Sequence, residues 1–279
     1  MRAAIDIGSN SVRIAFSDGT TRSIITKLAD GIESTGRLSP DGIAKSLEAL
    51  KAYADECAER DVTDVTAFAT EAVRRAADGE EFIAAAAHTG INVILLSPRQ
   101  EAALALAGVD KPDGAATVCD LGGGSLEVIS SPDGVTPDYV KSLPLGVVVL
   151  KNRFDGDFTR AINSAPALVD EYGEVPSRPV VISGGSACAI AAAILNLKVY
   201  DKAAVTTEFA LSDLDDIMPM LMSPRLSVLR PVCAKRADTL PYGAIILQAL
   251  LNKLNAVKFR VSDASNLEAV LKGYKLNTD

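Results

Sequence analysis

The sequence predicts an α/β protein built from two repeated units. Short apolar segments typical of strands alternate with segments whose apolar residues recur at helical spacing. Two of the strand pairs flank a turn of small residues that follows an aspartate, Asp6-Ile7-Gly8-Ser9 and Asp120-Leu121-Gly122-Gly123. The chain has 279 residues, 48% hydrophobic and 23% charged, which suits one large globular domain or two of ordinary size. We expect one domain at residues 1–114 and a second at residues 115–279.

The first unit is expected to run three strands, then helix, strand, helix, strand and helix. Its helices are predicted to begin at Ser39-Pro40-Asp41-Gly42 and to cover residues 71–89 and 99–107. Its strands are predicted at residues 2–7, 12–17, 21–28, 62–69 and 91–96.

The second unit is expected to begin in the same way. Its strands are predicted at residues 116–121, 126–130, 139–145 and 180–182, and a helix at residues 186–195. Residues 153–179 are the least patterned, and we expect a partly irregular connection there. The boundary between the units is expected near Lys111-Pro112-Asp113-Gly114, where proline and glycine interrupt the pattern.

Charge and hydropathy exclude several classes of protein. The formal net charge of -8 argues against a broad basic surface, so nucleic acid is not an expected partner. Any bound anion would need local positive charge from backbone N–H groups and a few arginines. The apolar stretch around residues 187–197 is shorter than the ~20 residues that span a bilayer, and we expect no membrane partner. No signal-peptide pattern is present at the start, which favours the cytoplasm.

The cysteines and the histidine are predicted to be structural. The single histidine, His88, makes a histidine-based triad or a histidine-rich metal site nearly impossible. The cysteines are far apart in sequence and show no metal-ligand spacing, so we expect buried, reduced thiols. They are Cys57, Cys119, Cys188 and Cys233.

The aspartate-led turns suggest phosphate chemistry. Small residues let the backbone approach a phosphate and point N–H donors at it, and a preceding carboxylate can hold Mg²⁺. One such turn is usually only a hairpin, but two that open successive units are stronger support. A third turn, Ser183-Gly184-Gly185-Ser186, lies between a predicted strand and helix, where backbone amides form an anion site.

Several motifs occur together in one order along the chain. They are Asp6-Ile7-Gly8-Ser9-Asn10-Ser11-Val12-Arg13, Ala69-Thr70-Glu71-Ala72-Val73-Arg74-Arg75-Ala76, Glu101-Ala102, Asp120-Leu121-Gly122-Gly123-Gly124-Ser125-Leu126-Glu127 and Leu145-Gly146. In this order and spacing they resemble the exopolyphosphatase/guanosine pentaphosphate phosphohydrolase (Ppx/GppA) family. The resemblance is firm over residues 2–150 and looser beyond. It implies two ribonuclease H-like domains of the actin-like ATPase architecture with a cleft between them.

The resemblance also implies roles for individual residues. Glu101 matches the glutamate that activates the attacking water, and Asp120 and Glu127 match acidic residues around Mg²⁺ and the nucleophile. Asp6 matches a metal-binding carboxylate of the first domain. Residues that match phosphate-binding positions, or lie in the phosphate-type turns, are Gly8, Ser9, Asn10, Ser11, Arg13, Arg74, Gly122, Gly123, Gly124, Ser125, Gly184 and Gly185.

Each of the main assignments has a simpler alternative. Glu101 begins a predicted helix, where a glutamate complements the helix dipole. Arg74 and Arg75 lie on a helix, so one or both could be solvated surface residues. Glu127 could be an ordinary strand residue between apolar neighbours.

The chain departs from the family pattern near the expected site. Leu126 stands where the family has threonine, Pro98 replaces a glycine, and Gln100 replaces an acidic residue beside the expected base. These changes leave the acidic residues in place, so activity is still expected. They make the rate and the substrate preference uncertain.

The resemblance leads to one expected function and several alternatives. We expect Mg²⁺-dependent release of the terminal orthophosphate from inorganic polyphosphate. Hydrolysis of guanosine pentaphosphate uses the same chemistry, and the sequence does not separate the two. A non-catalytic sensor of phosphate or alarmone is an alternative from another class, while a related kinase or a filament protein is less favoured. A homodimer is a further expectation from the family.

Overall fold

The computed structural model of the protein describes residues 1–109, 114–264 and 266–276. The chain forms two compact units, Met1–Gly108 with the described part of Ser265–Asp279, and Val109–Ala264. Each unit is built on one mixed sheet. Across the described ranges, no helix has both the length and the apolar character needed to cross a membrane.

The first unit has a five-stranded sheet in the order β3-β2-β1-β4-β5. Strands β1, β2 and β3 form an antiparallel meander, and β4 and β5 continue the sheet in parallel with β1. The strands are β1 Arg2–Ile7, β2 Ser11–Phe16, β3 Thr21–Ile25, β4 Asp64–Ala69 and β5 Val93–Leu95. The helices are α1 Ile32–Thr35, α2 Pro40–Glu59, α3 Glu71–Arg75, α4 Gly79–Ala87 and α5 Pro98–Gly108, with α13 Asn266–Leu271 at the chain end.

The second unit has a six-stranded sheet in the order β10-β11-β9-β6-β7-β8. Its strands are β6 Ala116–Leu121, β7 Leu126–Ser131, β8 Tyr139–Leu143, β9 Val180–Ser183, β10 Glu208–Ala210 and β11 Lys258–Ser262. Its helices are α6 Val147–Phe154, α7 Phe158–Asp170, α8 Gly185–Ile194, α9 Lys202–Val205, α10 Leu211–Leu221, α11 Leu226–Leu229 and α12 Leu240–Lys253, with a 3₁₀ helix at Pro231–Arg236.

The two sheets repeat one topology, which confirms the expected fold class. The order β3-β2-β1-β4 of the first sheet corresponds to β8-β7-β6-β9 of the second, with the same antiparallel meander and the same parallel fourth strand. This is the ribonuclease H-like arrangement. Parallel strands joined by helices bury both faces of the sheet, which explains the nearly continuous apolar runs in the central strands.

The helix predicted at residues 71–89 is divided in two, so that prediction was wrong. Ala76 has extended backbone angles, φ -73° and ψ 136°, and ends α3. Gly79 then begins α4 against the backbone of α3, where a Cβ would lie 2.0 Å from the carbonyl oxygen of Val73. The buried Asp78 accepts a hydrogen bond from the Leu38 amide at 3.0 Å, which holds the break.

The segment predicted to be irregular contains a well-formed helix. Helix α7 begins at Phe158, where the side chain of Asp157 accepts a hydrogen bond from the Arg160 amide. Its buried residues Ala161, Ala165 and Val169 recur four residues apart. This stripe of small side chains packs against α12, which is why its pattern was too weak to recognise in the sequence.

The end of the chain does not belong to the second unit, contrary to the expected domain at residues 115–279. Helix α13 packs on α5, β1 and β2 of the first unit. Leu267 and Val270 are buried in one apolar cluster with Phe68, Leu96 and Leu104. The predicted boundary at residues 111–113 lies outside the described residues.

Candidate active site

The first carboxylate of the candidate site lies on the central strand of the first unit. Asp6 on β1 faces Arg13 on β2 as its cross-strand partner. The Arg13 guanidinium donates to Asp6 Oδ2, and Asp6 is only 4% exposed. An aspartate this buried needs such a partner, because an unpaired buried charge is costly.

The turn that follows β1 is held by hydrogen bonds from one neighbouring segment of backbone. The Gly8 amide donates to the Ser11 carbonyl at 3.0 Å and closes the turn. The Asn10 carbonyl accepts hydrogen bonds from the backbone amides of Thr26 and Lys27, and the Ser9 carbonyl accepts one from the amide of Ala29. The C=O and N–H of a trans peptide point in opposite directions. The N–H groups of Asn10 and Ser11 therefore point away from that segment.

Glu101 lies in the first turn of α5, and the start of this helix explains two departures from the family pattern. The Ser97 amide donates to Gln100 Oε1 at 2.8 Å, and the Gln100 amide donates to Ser97 Oγ at 3.3 Å. This is a reciprocal capping box, in which glutamine serves as well as an acid. Pro98 occupies the first helical position, where its fixed φ is favourable. Both replacements therefore stabilise the helix that carries Glu101.

The contacts of Glu101 were not expected from the sequence. Glu101 is 5% exposed, and its Oε2 accepts a hydrogen bond from Arg74 Nη1 at 3.2 Å. The same Nη1 donates to the Leu96 carbonyl at 2.6 Å, and Arg74 Nη2 donates to Glu71 Oε2. Arg74 thus contacts the expected base. Its predicted contact with phosphate stays a prediction.

The second unit places two carboxylates side by side on its sheet. Asp120 on β6 and Glu127 on β7 are cross-strand partners, so their side chains lie on the same face. Ser183 Oγ on β9 donates to Asp120 Oδ1 at 2.9 Å, and Ser142 Oγ on β8 donates to Glu127 Oε1 at 2.6 Å. Four neighbouring strands thus contribute one row of polar side chains. Glu127 is 1% exposed, so it is not an ordinary strand residue at the surface.

Leu126, the other departure near this row, belongs to the core. Successive strand residues point to opposite faces, so Leu126 lies on the face opposite Glu127. It is fully buried and pairs across the strands with Leu121 and Leu143. Its apolar side chain therefore packs in the sheet and takes no place in the row of carboxylates.

The turn between β6 and β7 is built like the turn between β1 and β2. The Gly122 amide donates to the Ser125 carbonyl at 3.0 Å, and helix α6 braces the turn. The amides of Gly146, Val147 and Val148 at the start of α6 donate to carbonyls of the turn. The turn N–H groups that follow those carbonyls point away from α6, as in the first unit. They are the amides of Gly123, Gly124 and Ser125.

The third turn, between β9 and α8, requires glycine and brings in an arginine that the sequence reasoning missed. Gly184 has φ +102°, and a Cβ there would lie 2.5 Å from the Leu121 carbonyl oxygen. A Cβ on Gly185 would lie 2.3 Å from Arg236 Nη2, so this guanidinium lies against the first residue of α8. Arg236 follows Gly185 by 51 positions in the sequence, and no local pattern connects the two.

Of the carboxylates expected to bind Mg²⁺, the pair on the second unit suits the ion. The described residues contain no group of three or more His, Cys, Asp or Glu side chains that could hold a metal ion. Asp120 and Glu127 nevertheless form a pair of adjacent carboxylates. Mg²⁺ is commonly held by one or two carboxylates together with water and substrate phosphates, so this pair suits it. Asp6 is ion-paired with Arg13, and its expected role as a metal ligand stays a prediction.

The remaining expectations about cysteine and histidine agree with the structure. All four cysteines are free and buried. Burial raises the pKa of the Cys188 thiol to about 12 and that of Cys233 to about 11, so neither is a ready nucleophile. His88 is exposed at the end of α4 and lies outside the candidate site.

Fold and site together define an α/β protein of two ribonuclease H-like units with glycine-rich turns and buried carboxylates. The sequence model of the Ppx/GppA phosphatase family matches residues 9–277, which is nearly the whole chain. The chain belongs to this family. The resemblance noted in the sequence is thereby confirmed.

Individual relatives agree with the family assignment. Exopolyphosphatase 2 of Mycobacterium tuberculosis is 28% identical in an alignment 289 positions long that covers 90% of each chain. The crystal structure of an Aquifex aeolicus Ppx/GppA family member matches with a TM-score of 0.79 at 29% identity, over 98% of both chains. An exopolyphosphatase structure from Cytophaga hutchinsonii matches with a TM-score of 0.82 over 98% of both chains, and at 20% identity it supports the fold alone.

Proposed function

We propose that this protein is an exopolyphosphatase that releases the terminal orthophosphate of inorganic polyphosphate with the help of Mg²⁺. The observation that carries the proposal is the pair Asp120 and Glu127, directly beside a turn whose amides point away from α6. Carboxylates for a cation and N–H donors for phosphate oxygens are the two features that a phosphoanhydride site needs. The exopolyphosphatase relative in Mycobacterium tuberculosis supports the choice of substrate.

Glu101 is the proposed general base. Its carboxylate orients a water molecule and takes its proton while the water oxygen bonds to the terminal phosphorus. The bond from that phosphorus to the bridging oxygen breaks, and the bridging oxygen leaves on the shortened chain. A positioned base of this kind contributes about 10²–10⁴-fold to the rate. The capping box of α5 fixes the backbone of Glu101, and burial limits the positions of its side chain.

Asp120 and Glu127 are the proposed ligands of the cation. When bound, Mg²⁺ would offset the negative charge of the phosphoryl oxygens. Ser183 and Ser142 donate to the two carboxylates and orient them. Hydrogen-bonded neighbours of this kind commonly fix the direction of metal ligands.

The three glycine-containing turns are the proposed phosphate contacts. In each unit the donors are backbone N–H groups that point away from the segment bonded to the turn carbonyls. They are the amides of Asn10 and Ser11 in the first unit and of Gly123 and Gly124 in the second. Arg236, beside Gly185, adds a cation at the start of α8. Since the net charge is -8, such local donors replace a broad basic surface.

Guanosine pentaphosphate is the alternative substrate, because its terminal phosphoanhydride requires the same groups. A non-catalytic sensor of phosphate would keep the turns without using Glu101. Mg²⁺ as the particular metal, a location in the cytoplasm and a homodimer also stay predictions. The substrate alternatives are separated by a direct assay.

The test is orthophosphate release with Mg²⁺ from short polyphosphate, long polyphosphate and guanosine pentaphosphate. Glu101→Gln removes the base with almost no change in size, and we expect at least ~10²-fold slower release. Glu80→Gln is the matched control, because Glu80 is also in the first turn of a helix but is exposed. The ranking of substrates by kcat/KM names the substrate. Absence of release from all three, with binding intact, would favour the sensor.

A further inference from the structure

We propose that Arg74 is a positioning residue for Glu101, and that Glu71 holds Arg74 in place. This role is an alternative to the predicted phosphate contact of Arg74, and it rests on the proposed function only in taking Glu101 as the base. The three side chains form a carboxylate–guanidinium–carboxylate chain within the first unit. All three are largely buried, with side-chain exposures of 19% for Arg74, 13% for Glu71 and 6% for Glu101.

The guanidinium of Arg74 is fixed by three acceptors. Its Nη1 donates to the Leu96 carbonyl at 2.6 Å and to Glu101 Oε2 at 3.2 Å. Its Nη2 donates to Glu71 Oε2. Because the guanidinium is planar, bonds on both Nη atoms fix its rotation as well as its position. Three of its five N–H donors are used in these bonds, and they direct the guanidinium at Glu101 and Glu71.

Glu71 is itself held between two arginines. Arg74 and Glu71 are three residues apart on α3, where side chains are neighbours. The other carboxylate oxygen of Glu71 lies 3.7 Å from Arg75 Nε, and Arg75 Nη2 lies 2.7 Å from Glu33 Oε1. Glu71 is thus anchored through the oxygen that Arg74 does not use, and this anchor keeps Arg74 directed at the base.

The charges around Glu101 should make the effect of Arg74 and Glu71 measurable as a change in the titration of Glu101. Arg74 is a cation in contact with Glu101, and a positive charge beside a carboxylate favours the ionised form that a base requires. Helix α13, which packs on α5, carries Glu268, and Lys272 follows it. Both remain unchanged in every variant below, so a shift in Glu101 titration reports on Arg74 and Glu71.

Arg74→Gln separates the two roles of this arginine in kinetics. A positioning role predicts that kcat falls about 10- to 100-fold with KM changed less than about threefold. The acidic limb of the pH profile should move to higher pH, because the carboxylate loses its neighbouring cation. Arg74→Lys keeps the charge without the planar fork, so we expect a lower kcat with the acidic limb in place. A KM increase above tenfold with an unmoved pH profile would identify a phosphate ligand and overturn the proposal.

Glu71→Gln tests the holding role. Glu71 acts through Arg74, so Glu71→Gln should lower kcat about 3- to 10-fold in the natural protein and have no further effect in Arg74→Gln. Glu56→Gln is the matched control, because it removes a carboxylate that is ion-paired with an arginine of its own helix, Arg60, and neither residue belongs to this network, so kcat should stay unchanged. If the losses in the double variant were additive, Glu71 would not act through Arg74, and the proposed network would be refuted. Circular dichroism of each variant excludes loss of folding as the cause.

A second readout does not depend on any phosphohydrolase activity. Carbon-13 labelling of glutamate carboxyl carbons follows the titration of Glu101, assigned by the signal lost in Glu101→Gln. We expect the titration of Glu101 to move to higher pH in Arg74→Gln, because the carboxylate loses the cation that contacts it. If the natural protein releases no orthophosphate, the proposed function fails while this titration still decides the inference. An unchanged titration would overturn the inference whatever the activity.

Discussion

Replacing Gly146 by alanine places a methyl group inside the turn between β6 and β7. A Cβ at this position would lie 2.2 Å from the Gly123 carbonyl oxygen and 2.4 Å from the Gly124 nitrogen. The backbone of Gly146 has φ -70° and ψ 161°, which any residue adopts, so the obstacle is contact alone. Real Cβ atoms essentially never approach other atoms below 3.0 Å, so the turn or α6 must move by about 0.8 Å, the difference between 3.0 and 2.2 Å.

Such a movement should affect activity more than stability. Forcing an extra carbon into a packed site costs about 1–3 kcal/mol. A displacement near 1 Å in the groups that position a substrate can lower the rate by about 10²-fold. We therefore expect Gly146→Ala to slow orthophosphate release by about 10²-fold while the free energy of unfolding falls by about 1–3 kcal/mol. Release is measured with Mg²⁺ and polyphosphate, and stability by urea unfolding.

Gly146→Ser distinguishes this contact from an effect on the helix start. Gly146 is the N-cap residue of α6, a position where serine is favoured over alanine by about 1 kcal/mol. Serine carries the same Cβ, so a loss caused by contact should be equal in the two variants. Serine that restores activity or stability would refute the reasoning from contact with Gly123 and assign the loss to helix capping.

Two further predictions concern the core of the first unit. Leu267→Ala should lower the free energy of unfolding by about 2–5 kcal/mol, because Leu267 is buried with Leu96 and Leu104. Leu195→Ala is the control, and because Leu195 is exposed it should cost less than about 1 kcal/mol. Equal urea midpoints for the two variants would show that the packing of α13 contributes little to stability. Burial raises the pKa of Tyr53 to about 12 from 10.0. The contribution of Tyr53 to the free energy of unfolding is therefore fully present below pH 10 and is lost as the pH rises toward 12. Tyr53→Phe should flatten that part of the stability curve, and an unchanged slope would contradict the assignment.

The repeat and the turns could be predicted from sequence because they depend on local signals. Strand pairs around small residues and a Ser-Pro helix start are determined by neighbouring residues, and each was found in place. The repeated motif indicated two similar units, and the resemblance to the family implied their ribonuclease H-like topology. The expected base and the carboxylate pair came from the resemblance to the family, and the structure adds their partners.

The errors came where distant residues decide the structure. The break after α3 depends on Asp78 bonding to Leu38, forty positions earlier. Helix α13 joins the first unit because its apolar face completes a cluster with residues of β4 and α5. The contact of Arg236 with Gly185 is likewise formed across the chain. No local periodicity reports such contacts, and the elements after residue 195 went unpredicted for the same reason.

The two copies of the repeated unit differ in the cross-strand partner of their aspartate, and this difference predicts separate tasks for them. Asp6 and Asp120 occupy the same place in the two sheets, but the cross-strand partner is Arg13 in the first and Glu127 in the second. Arginine neutralises the aspartate, whereas two adjacent carboxylates repel each other and favour a cation between or beside them. A metal ion is therefore expected on the second unit, and the charge on Asp6 is already balanced by protein. Arg13→Gln would remove that balance and leave one negative charge on the pair, whereas Asp120 and Glu127 together carry two.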